Sequence, residues 1–252
     1  MSLLASSLGK KYIMALSGLV LSLFVLGHML GNLQVFGDPY LINAYGYKLQ
    51  HLPYGLLWII RLFLLACVLA HIWAAITLKI QNKKARPEEY EQKATVQASL
   101  ASRTMIMSGL IILLFLIFHL LHYTVRAVPG HEYNQAIVTN DGTEYPAEVI
   151  LIKNGKPMVD SYGKPLQVHN LHDMMVAGFS YPLISLFYVV ATYLLCMHLS
   201  HGVSSMFQSV GLRNETWRYR LDIIGKIYGW VLFLGYASIP ISIWLGVVKA
   251  TV

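Results

Sequence analysis

The residues of this chain that could carry chemistry are histidines inside apolar segments. Ten histidines are present, and six lie in long runs that otherwise read as lipid-facing: His28, His71, His119, His122, His198 and His201. Ionisable side chains within membrane spans are costly, face the bundle interior and are functional by default. A lone histidine can simply make a hydrogen bond between helices. Here four spans carry histidines and a fifth carries none, which favours a cofactor or metal role.

The elements that must position these histidines are five apolar runs. Each is close to the ~20 residues that a helix needs to cross a hydrocarbon core, and only 12% of the chain is charged, about half the share in soluble domains. The sequence predicts an all-α membrane protein, a five-helix bundle in one domain over residues 1–252. The predicted spans are Tyr12–Phe36, Leu57–Lys79, Thr104–Val125, Pro182–Phe207 and Ile227–Val248.

Lysine and arginine in the short connections predict the orientation. Connections 81–103 and 208–226 are basic, whereas 37–56 offers only Lys48. By the positive-inside rule, the N-terminus and both basic connections are expected on the cytoplasmic side of a bacterial cytoplasmic membrane. The topology accounts for the basic residues that give the chain its net charge of +7, so this charge does not indicate nucleic-acid binding. In the long outer connection, about 126–181, Asn154-Gly155 between strand-like arms predicts a small β-hairpin.

Counting along the spans places four histidines in two layers. Helices rise ~1.5 Å per residue, so His28 and His119 lie about 24 and 22 Å along the two outward-running spans. His71 and His198 lie about 21 and 24 Å along the two inward-running spans, on the same rise. The sequence therefore predicts an outer pair and an inner pair of imidazoles, separated by roughly 15 Å along the membrane normal.

Two imidazole pairs at two depths suit two iron cofactors. Imidazole is a ligand for iron, and helix bundles build cofactor sites from side chains on facing helices. We expect one b-type haem between His28 and His119 and a second between His71 and His198. A proton relay of histidines is the competing interpretation, but such a relay would be expected to include carboxylates, and the predicted spans contain none.

Four further residues are candidates for contacts with such cofactors. Arg61, near the outer end of the second span, could pair with a haem propionate or extend to the membrane interface. His122 and His201 each follow a candidate ligand by three residues, nearer to a membrane surface, where a propionate, a quinone or water could meet them. Arg103 at the inner side is a further propionate candidate, although an interfacial position explains it more simply.

Four segments resemble one known family: SGLVLSLFVLGHMLGN, LLACVLAHIWAA, LIILLFLIFHLLHYT and CMHLSHGVSSMFQSVG. They are similar to the membrane cytochrome b subunit of succinate:quinone oxidoreductases, in the single-chain, five-helix, two-haem form. The resemblance covers all five spans in order, but not the insertion at about 130–170. It implies that the axial ligands are His28, His71, His119 and His198, in the pairing that the depths predict.

The resemblance also implies an activity and partners. The chain would be the quinone-reactive subunit of a succinate dehydrogenase or fumarate reductase, passing electrons from the inner to the outer haem and on to menaquinone. An iron–sulfur subunit would dock at the basic connections, together with a flavoprotein that carries the dicarboxylate site. A dimer or higher oligomer of the complex is left open. The family's acidic residue in the first outer connection has no counterpart here, so Tyr45 and His51 are the candidates for bonding a quinone carbonyl.

Two alternatives remain open from the sequence. One is the cytochrome b subunit of another respiratory complex, of the nitrate reductase or hydrogenase type. A single ligand on each of four successive helices argues against it. The other is a haem-free membrane anchor or transporter whose histidines are structural. A haem-to-protein ratio separates the second alternative from the dihaem interpretation.

Overall fold

The structure is a computed structural model, and it describes residues 6–85 and 104–251. Five helices in these residues are long and apolar enough to cross a membrane, which confirms the prediction of a multi-pass, mainly helical protein. Within the described residues the α-helices are α1 (Ser7–Asn32), α2 (Pro39–Gln50), α3 (Leu56–Lys84), α4 (Met105–His119), α5 (Leu171–Ser180), α6 (Pro182–Ser209) and α7 (Glu215–Trp244). The membrane candidates are α1, α3, α4, α6 and α7 with their flanking turns.

The ends of these helices depend on polar residues, which a hydropathy pattern does not detect. The fifth span begins at Glu215, well before the predicted Ile227, because the Asn214 side chain accepts a hydrogen bond of 2.9 Å from Trp217 N and caps the helix. The third span ends differently, since α4 passes into a π-helical turn, Leu120–Val125. Arg126 then terminates it with a left-handed backbone, φ 59°.

Contacts divide the described chain into two compact units. The first unit comprises the described parts of 1–27, 58–109 and 195–231, and the second comprises 28–57, 110–194 and 232–252. In the first unit, α7 packs closely on α6: a Cβ at Gly225 would lie 2.6 Å from the Ser200 carbonyl oxygen, and one at Gly229 would lie 2.6 Å from that of Cys196. Small residues at this spacing allow two spanning helices to approach.

The second unit contains two helices that the sequence analysis did not predict. Helix α2 starts after Asp38, whose side chain accepts from Tyr40 N at 2.8 Å, with Pro39 in the first turn. Helix α5 starts after Asn170, which caps Asp173 N at 3.2 Å. Both pack on an apolar core of buried residues: Val35, Ile42, Met175, Val176, Phe179, Tyr188, Ile239, Ile243 and Val248.

The long connection also holds three antiparallel strand pairs. They are β1 (Ala136–Val138) with β2 (Glu144–Pro146), β3 (Glu148–Ile150) with β6 (Gln167–His169), and β4 (Ile152–Lys153) with β5 (Lys156–Pro157). The β4–β5 pair confirms the predicted hairpin, with positive φ at both Asn154 (52°) and Gly155 (73°). The preceding strand β3 pairs with β6, because the chain folds back a second time after Asp160.

Candidate cofactor sites

The first unit brings together His71 from α3 and His198 from α6. Their ring centroids are 6.5 Å apart, with the ring planes inclined by 59°. Metal–imidazole bonds are about 2 Å long, so two imidazoles on opposite sides of one metal have ring centres about 6 Å apart. The separation therefore fits two axial ligands of one metal.

Both rings of this pair are held at Nδ1 by neighbouring helices. His71 Nδ1 donates to the Met14 carbonyl oxygen at 3.2 Å and lies 3.3 Å from Ser17 Oγ. His198 Nδ1 lies 3.2 Å from Ser108 Oγ. Ser17 and Ser108 each donate their own proton to a backbone carbonyl, so they accept from the imidazoles. A proton fixed at Nδ1 leaves the Nε2 lone pair for a metal.

The residues that hold these rings repeat a short pattern. MALSG (Met14–Gly18) on α1 and MIMSG (Met105–Gly109) on α4 both read M-x-x-S-G. Each glycine lies against the histidine that its serine bonds: a Cβ at Gly18 would be 3.1 Å from His71 Cε1, and one at Gly109 would be 3.4 Å from His198 Cε1. The sequence analysis missed this repeat, which could have predicted that both serines have the same role.

The second unit brings together His28 from α1 and His119 from the end of α4. Their ring centroids are 5.7 Å apart and nearly perpendicular, at 84°. Tyr236 lies 6.4 Å from His28, and Phe115 stacks 5.9 Å from His119. His119 Nδ1 is 3.3 Å from the Tyr188 hydroxyl, so this ring also has an oxygen partner at Nδ1. Donation to that oxygen would leave the Nε2 lone pair for a metal.

The surroundings of both pairs fit a haem. All four imidazoles are partly buried on apolar spanning helices. Metal-bound histidines typically have an oxygen partner at the other ring nitrogen, as His71, His119 and His198 have. Gly202 adds space, because a Cβ there would meet nothing within 4 Å one turn after His198. Each pair can hold one metal between two imidazoles in a largely apolar environment.

His122 and His201, the histidines three residues after candidate ligands, differ from each other in their surroundings. His122 is fully buried and has protein partners at both ring nitrogens: the Tyr188 hydroxyl at Nδ1 (3.0 Å) and His131 Nδ1 at Nε2 (3.3 Å). His201 is half-buried near Arg213 and Asp222. No short sequence pattern joins His122 to His131 and Tyr188, so sequence reasoning missed these partners.

Of the two arginine candidates for propionates, Arg61 lies within the described residues. Arg61 is exposed, and its guanidinium lies 5.0 Å above the ring of Trp58, which is itself 64% exposed. This contact lies on an outward-facing surface of α3, as expected for a side chain that extends to the interface. Arg103 lies outside the described residues.

The two quinone candidates make separate contacts. Tyr45 packs over Gly31, where a Cβ would lie 2.9 Å from its hydroxyl. His51 is exposed, stacks on Tyr47 at 4.0 Å and bonds the Tyr47 carbonyl at 2.9 Å. It also lines a cleft of about 490 Å³ with Arg126, Glu148 and other residues of the long connection.

Comparisons with protein-family models, curated proteins and solved structures find no match to this chain. The two histidine pairs and their hydrogen-bond partners therefore carry the functional argument.

Proposed function

We propose that this chain is the membrane anchor and dihaem cytochrome b subunit of a succinate:quinone oxidoreductase. The observation that carries the proposal is the geometry of the two histidine pairs, with ring centroids 6.5 and 5.7 Å apart. His71, His198 and His119 each have an oxygen partner at Nδ1. The resemblance of four spanning segments to that subunit supports the same assignment.

The residues divide into ligands and the groups that orient them. His71 and His198 would hold one haem, and His28 and His119 the other. Haem supplies one-electron redox chemistry when it is bound. The partners at Nδ1 (Met14 and Ser17 for His71, Ser108 for His198, Tyr188 for His119) fix the tautomer and orientation of each ring and raise its basicity as a ligand.

The remaining parts of the proposed reaction lie outside this chain or at its surface. A flavoprotein carries the dicarboxylate chemistry, and an iron–sulfur subunit docks on the cytoplasmic face at the basic connections 81–103 and 208–226. In the described part of these connections, Arg218 and Arg220 are exposed at the start of α7. Menaquinone accepts or supplies the electrons, with Tyr45 and His51 as candidates for its carbonyl groups.

Single histidine replacements test the ligand assignment. The chain is expressed in haem-replete cells, and bound haem is measured from the reduced-minus-oxidised spectrum. Replacing His71 or His198 by alanine removes one haem, and replacing His28 or His119 removes the other. Each loss halves the haem content, and the spectrum of the surviving haem differs between the two groups of variants.

Two neighbouring histidines provide matched controls on the same helices. His122→Gln and His201→Gln lie three residues after a proposed ligand, and both variants keep two haems. Loss of a haem in a control while the corresponding ligand variant keeps it would contradict the assignment.

A further inference from the structure

Three polar atoms from different side chains meet inside the second unit. His122 Nε2 lies 3.3 Å from His131 Nδ1 and 3.4 Å from the Tyr133 hydroxyl oxygen, and the last two atoms are 2.5 Å apart. All three side chains are buried, with exposures of 0%, 6% and 2%. In a linear hydrogen-bonded chain, only consecutive atoms lie within hydrogen-bond distance of each other. Here all three pairs of atoms do, so the atoms form a triangle.

The triangle has the size of one face of a coordinated metal ion. In a tetrahedral site with bonds of about 2.0–2.1 Å, neighbouring ligand atoms are about 3.3 Å apart. Two edges of the triangle have this length. The short third edge is a hydrogen bond between the Tyr133 hydroxyl and His131 Nδ1. Metal binding would displace the phenol proton, because ligating side chains must be deprotonated.

The surroundings of the triangle provide the outer hydrogen bonds that metal sites use. His122 Nδ1 lies 3.0 Å from the Tyr188 hydroxyl, so its other nitrogen is the one directed to the triangle. The buried hydroxyl of Tyr123 has no hydrogen-bond partner among the described residues. Tyr123 packs against His122, with ring centroids 4.1 Å apart.

The backbone at two of the three residues is unusual. His122 lies in the π-helical turn Leu120–Val125, and such turns occur frequently at functional sites. Tyr133 has a left-handed backbone with φ 46°, which is rare and strained for a bulky residue.

We propose that His122 Nε2, His131 Nδ1 and the Tyr133 phenolate oxygen bind one divalent transition-metal ion, with zinc as the first ion to test. Two imidazoles and one phenolate suit a first-row transition ion better than Mg²⁺ or Ca²⁺, which prefer all-oxygen sites. Three protein ligands leave a fourth position open for water. This site is distinct from the proposed haem ligands and does not depend on them.

A metal titration of the purified, untagged chain in detergent tests the proposal. The protein is stripped with EDTA and titrated with ZnCl₂, and separately with CoCl₂, whose visible absorption reports the coordination geometry. Wild type takes up one equivalent of Zn²⁺ in a saturable step and becomes more resistant to thermal unfolding, because the ion binds only the folded chain. Bound haem is counted independently by its own absorption, so failure of the haem proposal leaves this titration interpretable.

Matched variants separate the site from other histidines and tyrosines. Tyr133→Phe keeps the ring and removes the ligand oxygen, and His131→Gln removes a ligand outside the spans. Both variants are expected to bind Zn²⁺ at least about tenfold more weakly, since even an outer hydrogen-bond partner of a metal-bound histidine is worth 10–100-fold. The exposed Tyr162→Phe and the half-buried His169→Gln are the controls and keep wild-type affinity.

The proposal is overturned in either of two ways. One is wild-type protein that takes up no Zn²⁺ or Co²⁺ in a saturable step. The other is undiminished binding and thermal stabilisation in both Tyr133→Phe and His131→Gln. In both cases the triangle is a hydrogen-bonded cluster and not a metal site.

Discussion

At the scale of single residues, Tyr188 offers one hydroxyl to two histidines. The hydroxyl lies 3.3 Å from His119 Nδ1 and 3.0 Å from His122 Nδ1. Its oxygen has two lone pairs and can accept from both rings, so it joins the proposed outer haem ligand to the cluster of His122, His131 and Tyr133. His119 and His122, three residues apart in sequence, thus share a partner and differ in role.

Replacing Tyr188 by phenylalanine tests this connection on the haem side. The change removes the acceptor at His119 Nδ1, makes the imidazole a less basic ligand and so favours the reduced haem. The midpoint potential of the haem that we propose between His28 and His119 should rise by about 40 mV, for a hydrogen bond worth about 1 kcal/mol. A redox titration followed at the haem absorption measures it. Ser108→Ala is the control and should change the midpoint potential of the other proposed haem instead. An unchanged potential in Tyr188→Phe would contradict the role assigned to Tyr188.

His169 gives a residue-scale prediction about pH. Burial, and secondarily the nearby Arg126 charge, lowers the pKa of His169 from 6.5 to about 4. The folded chain keeps this ring neutral between those values while the unfolded chain protonates it. Stability should therefore fall as the pH drops from 6.5 towards 4.

His169→Gln should flatten this pH dependence. Thermal unfolding midpoints measured at several pH values between 4 and 7 give the slope. The same substitution at the exposed His51 is the control and should leave the slope as in wild type. A slope unaffected by His169→Gln would show that other groups cause the acid sensitivity.

At the scale of elements, the close approach of α6 and α7 supports the first histidine pair. Gly225 and Gly229 face the backbone of α6 at Ser200 and Cys196, on either side of His198 in sequence. No side chain separates the helices there. The position of His198 opposite His71 therefore depends on two glycines that are not ligands.

Gly229→Ala tests this dependence. A Cβ would lie 2.6 Å from the Cys196 carbonyl oxygen, and overpacking of this kind typically costs about 1–3 kcal/mol. We expect a lower thermal midpoint and weaker retention of the haem held by His71 and His198. Ile227→Ala, at a position that is 59% exposed, is the control. Equal stability of both variants would mean that the helices separate without cost.

The elements also show what the sequence could predict. Long apolar runs identify five spans, and Asn154-Gly155 identifies a hairpin, because each signal is local. Helix α5, Leu171–Ser180, was missed because it is short and almost wholly buried, so it lacks both the length of a span and an amphipathic pattern. Its start signal was the capping pair Asn170 and Asp173.

The candidate sites also contain some features that the sequence predicts and others that it does not. Counting residues along the spans pairs His28 with His119 and His71 with His198, and the structure brings the same rings together. The groups that hold these rings could not be assigned in this way. A backbone carbonyl such as that of Met14 has no sequence signature, and the contact of His131 with His122 depends on the path of the chain after Arg126.

At the scale of the whole molecule, the proposal requires soluble partners. Arg218 and Arg220 are exposed at the start of α7, and Arg220 lies 5.3 Å above the ring of Trp217. Charge reversal at both positions (Arg218→Glu with Arg220→Glu) should weaken association with the iron–sulfur and flavoprotein subunits while both haems remain bound. Co-purification through an affinity tag on this chain, followed by covalent-flavin fluorescence, measures the loss.

A control for this experiment reverses charge on another part of the chain. Lys153→Glu with Lys156→Glu changes the exposed β4–β5 hairpin, which the proposal places on the opposite side of the membrane. Those variants should retain both subunits. Loss of the partners in the hairpin variants alone would contradict the proposed orientation.

The most direct test of the central claim is the haem-to-protein ratio of the wild-type chain. The chain is purified from haem-replete cells, and its haem is quantified from the reduced-minus-oxidised difference spectrum against the protein concentration. The two histidine pairs predict b-type absorbance with two haems per chain. A ratio of one would contradict the second site, and the absence of b-type absorbance would contradict the proposed function.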